Sequence, residues 1–135
     1  MTDEPRILLI DDNERTRHDL ETVIAFLGES SISATSSNWH KKITSVVNKP
    51  SQVTAVVLGT CEFLPIEELL GVIHQWEAGV PFILLNDQGI PEFLDLELAS
   101  RITACLTSPL NYQPLLDALH KAKLVHEHYN RLKDF

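Results

Sequence analysis

Five short apolar runs, each followed by a segment of helical spacing, constrain this chain more than any other feature. Arg6-Ile7-Leu8-Leu9-Ile10, Thr54-Ala55-Val56-Val57-Leu58 and Val80-Pro81-Phe82-Ile83-Leu84-Leu85 are almost continuously hydrophobic. Such runs are expected of strands buried on both faces. Ile32-Ser33-Ala34-Thr35-Ser36 reads as a weaker second strand, and Ile102-Thr103-Ala104-Cys105-Leu106 as the fifth. Pro81 stands at a strand start, where its missing N–H is tolerated.

The intervening segments carry helix signals. Asn13 is placed to cap a helix with Leu20, Val23, Ile24 and Leu27 at helical spacing, and Gly28 ends it. Asn38 precedes a second helix through Trp39, Ile43, Val46 and Val47, stopped before Pro50. Pro65 opens a third carrying Leu69, Leu70, Ile73 and Trp76, and Pro91 to Arg101 holds a fourth with Phe93, Leu94, Leu96 and Leu98. A last helix runs from about Gln113 to near the C-terminus. Strict alternation implies parallel pairing through right-handed crossovers. The expected fold is flavodoxin-like: a (βα)5, three-layer α/β/α sandwich with strand order 2-1-3-4-5.

Composition narrows the function classes. Eleven Lys+Arg against nineteen Asp+Glu give a formal charge of −8, which weighs against gripping nucleic acid or an anionic membrane by net charge. No apolar run reaches the roughly 18 residues of a membrane span, and the acidic Met1-Thr2-Asp3-Glu4-Pro5 start is unlike a secretion signal. Cys61 and Cys105 form no CxxC pair, so a soluble protein of a reducing, cytoplasmic compartment is expected, with both thiols packed. His126-x-His128 diverges on a helix and does not make a zinc site. With five glycines, no GxxxxGK[ST] loop and no GxSxG elbow, neither nucleotide, flavin nor serine-hydrolase chemistry is indicated. No cofactor, no metal and no enzymatic activity are expected.

In open parallel sheets, function sits beyond the C-terminal strand ends. There the sequence places Asp11 and Asp12 after strand one, Gly59 and Thr60 after strand three, Asn86-Asp87 after strand four, and Ser108-Pro109 after strand five. An acidic pair and an X-Pro at these places, on a five-unit chain of this length, resemble the response-regulator receiver family over about residues 5–125. The resemblance implies Mg²⁺ at the acidic pair, a phosphoryl-accepting aspartate ending strand three, a Ser/Thr after strand four and a Lys before the strand-five Pro. A carboxylate nucleophile, hard oxygen ligands and a neutralising cation are each required by that chemistry. In this sequence the acceptor position falls on Gly59 (Thr60 in the adjacent register), the switch position on Asn86 and the Lys position on Ser108. Asp11, Asp12, Gly59, Thr60, Asn86 and Ser108 thus form a degenerate phosphorylation site. The plainer reading of the acidic pair is a retained corner with one carboxylate capping helix one.

Leu-Leu-Ile-Asp-Asp-Asn13, Phe26-Leu27-Gly28-Glu29, Val57-Leu58-Gly59 and Leu115-Leu116-Asp117-Ala118-Leu119-His120 resemble more narrowly the N-terminal receiver-like domain of FleQ/FlrA-type flagellar master regulators, which are σ54-dependent activators. This resemblance implies a neighbouring AAA+ ATPase domain and a DNA-binding domain elsewhere in the parent chain.

The final helix carries a further signal. Leu115, Leu119 and Ala122 can cover the sheet, while Val125, Tyr129 and Leu132 continue an apolar stripe beyond it. At about 1.5 Å per residue, the added turns outrun a five-stranded sheet. A dimer or linker interface is the expectation, with residues 1–120 as an atypical receiver domain and 121–135 as a linker toward the ATPase domain. The expected function is a non-phosphorylatable regulatory domain acting by homodimerisation and control of the AAA+ domain, without direct nucleic-acid or membrane contact. The alternatives are a small-molecule sensor using the crevice beside Gly59 and Asn86, or a receiver still weakly responsive to phosphorylation.

Overall fold

The computed structural model of the chain describes residues 4–85, 90–92, 94–107 and 111–133. Its elements follow the predicted order: β1 (Arg6–Ile10), α1 (Glu14–Phe26), β2 (Ser31–Ala34), α2 (Trp39–Thr44), β3 (Val53–Leu58), α3 (Ile66–Trp76), β4 (Phe82–Leu85), α4 (Leu96–Ser100), β5 (Ile102–Leu106) and α5 (Tyr112–Lys133). All four strand pairings are parallel, and the sheet order is β2-β1-β3-β4-β5. The flavodoxin-like expectation holds.

Because strand side chains alternate faces, each apolar run feeds two cores. Leu8, Ile10, Val56, Leu58, Phe82 and Leu84 face α2 and α3, where Trp39, Ile43, Leu69, Leu70 and Ile73 meet them. Ile7, Leu9, Ala55, Val57 and Ile83 face α1 and α5, against Leu20, Ile24, Leu115, Ala118, Leu119 and Ala122. Continuous hydrophobicity in β1, β3 and β4 is therefore the consequence of burial on both sides.

Helix boundaries depart from expectation where short-range chemistry decides them. Asn13 caps α1 by accepting from the Thr16 amide at 3.0 Å, and Gly28 at φ +87° lets the chain leave it. Asn38 precedes α2, but its side chain accepts from the Thr35 amide behind it rather than from the helix. The helix stops at Thr44, short of Val46 and Val47, and a 3₁₀ turn at Pro50–Gln52 leads into β3. Pro65 lies just before α3. The fourth helix is much shorter than the predicted Pro91–Arg101, because Asp95 is extended and its carboxylate accepts from the Glu97 amide at 2.8 Å, which starts the helix at Leu96. Leu94 packs into the core ahead of it, and Phe93 lies outside the described residues.

Among the described residues, no helix is long and apolar enough to cross a membrane.

Candidate functional site

The β1–α1 corner brings Asp11 and Asp12 beside the end of β3, as parallel register requires: Gly59 N–H donates to the Ile10 carbonyl at 2.8 Å, and Asp12 N–H donates to the Thr60 carbonyl at 2.7 Å. Four of the six predicted site residues, Asp11, Asp12, Gly59 and Thr60, thus meet. Asn86 and Ser108 lie outside the described residues. Asp11, Gly59 and Thr60, together with Thr16, Leu20, Leu85 and Thr107, line a cavity of about 240 Å³ at these strand ends.

The two carboxylates have opposite fates. Asp12 is fully engaged: Oδ1 accepts from the Ser36 amide at 2.7 Å, while Oδ2 accepts from the Ser36 hydroxyl at 2.7 Å and the amides of Glu62 at 2.5 Å and Phe63 at 3.3 Å. Burial by itself raises the Asp12 pKa, but these hydrogen bonds outweigh it and hold the carboxyl below its ordinary value. One side chain therefore ties the β1 corner to the approach to α2 and to the β3–α3 loop. This corrects the expectation that one carboxylate of the pair caps helix one, since Asn13 caps α1 and Asp12 clamps two loops.

Asp11 is completely buried. Its Oδ1 accepts from the Asn13 amide at 2.8 Å, and its Oδ2 has no hydrogen-bond partner. Arg17 donates instead to the Asp11 main-chain carbonyl at 2.8 Å. Burial pushes the Asp11 carboxyl above its ordinary value; the main-chain groups of Asn13 and Thr60 and the Arg17 charge oppose that, and Asp12 adds to it.

Gly59 explains how Asp11 fits. A β-carbon built on Gly59 would overlap the Asp11 carboxylate, coming within 2.8 Å of its Cγ. The space in which a side chain at position 59 would begin is already filled by its neighbour. Cys61, a half-buried neighbour, has its thiol pushed up to about 12 by burial and by the charges of Asp12 and Asp11. It is unreactive as a thiolate.

Sequence reasoning missed a second constellation at the other end of the sheet. The stripe predicted at Val125, Tyr129 and Leu132 does not stay together. Helical residues advance by about 100° each, which puts Tyr129 with Ala122 and His126 on the inward face, Val125 at its border and Leu132 outside. Accordingly Tyr129 and Val125 are half-buried, His126 is buried, and Leu124 and Leu132 are exposed. The Tyr129 ring occupies the space a β-carbon of Gly79 would need, and Arg101 lies 5.5 Å above its centroid. Glu77, also buried, accepts from the Gly79 amide at 3.3 Å. The expectation that the added turns outrun the sheet is corrected for Tyr129, which packs on its own domain because glycine at position 79 opens the space.

Against this geometry, the sequence model for the flagellar regulatory protein FleQ matches residues 6–124. The chain belongs to this family. Solved structures share the fold: a response-regulator receiver domain from Clostridium thermocellum is 21% identical with a TM-score of 0.74, covering 96% of this chain and 97% of that one. The signal receiver domain of an HD domain-containing protein from Pseudomonas fluorescens Pf-5 is 25% identical with a TM-score of 0.72, over 97% and 95% of the two chains. Chemotaxis response regulator CheY4 of Vibrio cholerae is 16% identical with a TM-score of 0.69, over 88% and 98%. The FleQ-family chain is thus a regulatory domain of receiver fold.

The receiver fold raises the question of a Mg²⁺ ion at the acidic corner. The described residues do not fit one. Asp12 has spent both oxygens on four hydrogen bonds, Asp11 is buried with one oxygen already engaged, and Gly59 brings no carboxylate. Mg²⁺ requires near-octahedral oxygen coordination that this set does not supply. Among the described residues, no three His, Cys, Asp or Glu side chains converge on a metal position.

Proposed function

We propose that this domain regulates its parent flagellar activator without an aspartyl phosphate, as a pseudo-receiver held in one state. The observation that carries the reading is the Asp11–Gly59 contact: the acceptor position has neither a carboxylate nor room for one. Acyl-phosphate formation needs a carboxylate nucleophile, and Thr60 offers a hydroxyl in its place. The acidic pair serves architecture in place of chemistry, with Asp12 bracing the approach to α2 and the β3–α3 loop.

Output on this reading runs through α5. Its 22 residues span about 33 Å, and Tyr129 fixes the distal turns to the body of the domain. Leu124 and Leu132, with Val125 beside them, form the apolar stripe left outside, which suits pairing with a second copy of the chain. A cytoplasmic homodimer controlling a neighbouring AAA+ domain follows, with no enzymatic step in this domain. The direct test is deletion of residues 1–120 from the parent chain: assembly and ATPase activity are expected to change, and unchanged values for both contradict the proposal.

A small-molecule sensor at the strand-end crevice receives less support. The cavity beside Gly59, at about 240 Å³, lies below the roughly 300–1,000 Å³ usual for ligand sites.

A further inference from the structure

The N-terminal ends of the strands carry a roomier cavity of about 380 Å³, within the range of ligand pockets. One wall is the segment entering β3, with Lys49, Ser51 and Gln52; the other is α5, with Lys123, His126 and Glu127. The Gln52 side chain is held rigidly, accepting from the Asn48 and Lys49 amides at 2.7 and 2.9 Å. His126 is only 4% exposed, yet its Nε2 has no hydrogen-bond partner. A buried polar atom left unpaired in a lined cavity calls for an external partner.

We propose that this cavity binds inorganic phosphate between Lys49, Lys123 and the His126 imidazole. The chemistry selects that class. The lining carries two ammonium groups and one carboxylate, Glu127, while the Glu77 carboxylate acts on His126 from outside it; in a chain whose formal charge is −8, the lining itself is therefore cationic. Burial pushes the His126 pKa down, against the opposing influence of Glu77, Glu127 and the Ser51 main chain, and the ring is therefore neutral at pH 7. A neutral imidazole keeps one acceptor nitrogen. Monohydrogen phosphate offers anionic oxygens to the lysines and an O–H to that nitrogen. Sulfate and carboxylates carry no such proton at neutral pH.

The occupant would bridge the β3 entrance to α5 just before Tyr129, where the helix leaves the domain. It would supply the pseudo-receiver with an input in place of aspartyl phosphorylation, and in that sense it rests on the reading above. The binding itself does not depend on that reading. The test is a titration of the ¹⁵N-labelled 135-residue protein at pH 7 and constant ionic strength, following the histidine ring nitrogens, with inorganic phosphate, glycerol phosphate and sulfate in separate arms. The expected result is a saturable shift of His126 Nε2 with phosphate, half-complete at about 1 mM, and about fivefold weaker or more in Lys49→Gln and in Lys123→Gln. Both lysines are exposed, so these variants retain the fold. A comparable response to glycerol phosphate, largely a dianion without a P–O–H at pH 7, would overturn the proposal. The absence of a saturable His126 shift, a shift matched by sulfate, or one indifferent to both lysine substitutions overturns the proposal while leaving the pseudo-receiver reading standing.

Discussion

Gly59 and Gly79 lie at opposite ends of one parallel sheet and perform the same steric service with opposite consequences. Each leaves the volume of a β-carbon to a neighbour: the Asp11 carboxylate at the first, the Tyr129 ring at the second. At Gly59 the guest is a buried carboxylate with one unpartnered oxygen, an arrangement that costs stability and, on the proposed reading, occupies the place of a phosphoacceptor. At Gly79 the guest is an aromatic ring with a guanidinium above it, and the contact anchors the outgoing helix. On that reading, one device closes a chemical site and the other anchors a helix.

Substitutions that separate the two ends sharpen this contrast. The largest effect is expected at the clamp beside the closed site. Asp12→Ala orphans the Ser36, Glu62 and Phe63 amides and should cost about 3 kcal/mol in chemical denaturation at pH 7. Its sign with pH follows from the lowered pKa: the contribution is complete above the ordinary value of 3.8 and fades as pH falls through the depressed folded value. The penalty of the variant should therefore shrink toward low pH, and a penalty that grows with acid would contradict the clamp.

Gly59→Ala follows, at about 2 kcal/mol, as the new methyl displaces Asp11. Pairing it with Asp11→Ala should recover most of that loss, and strict additivity of the two would show that the carboxylate is not what fills the space. For Asp11 the linkage runs the other way from Asp12. Its folded pKa is raised, so its protonated form is the stabilising one, complete below 3.8 and lost as pH rises through the elevated folded value. Asp11→Asn should consequently flatten that decline, as read from denaturation midpoints across the acid range.

The smallest effect belongs to the other end. Arg101→Gln removes the cation above Tyr129 and should cost about 0.5–1 kcal/mol, with faster amide exchange confined to the last turns of α5. Protection unchanged in those turns would mean that the ring alone holds the helix.

The sequence made the fold legible because β1, β3 and β4 are buried on both faces and cannot be mistaken for half-exposed strands, while Asn13 and Gly28 mark both ends of α1. It also brought Asp11, Asp12, Gly59 and Thr60 to one place, since parallel register aligns the strand ends. What it concealed were distant side-chain choices. Nothing near Asp12 announces that Ser36, 24 residues on, will absorb its carboxylate. Tyr129 looked like part of an outward stripe because helical spacing does not show that a glycine 50 residues earlier clears space for it. The predicted fourth helix failed from its start, where Asp95 caps a shorter one in an extended conformation.

The central claim, a receiver fold that signals without an aspartyl phosphate, is tested most directly by sedimentation velocity over a dilution series, with and without Mg²⁺ and beryllium fluoride, a mimic of the phosphorylated aspartate. The account predicts an association curve that the mimic leaves unchanged. A mimic-dependent change in mass or shape would contradict it and restore a working phosphorylation switch.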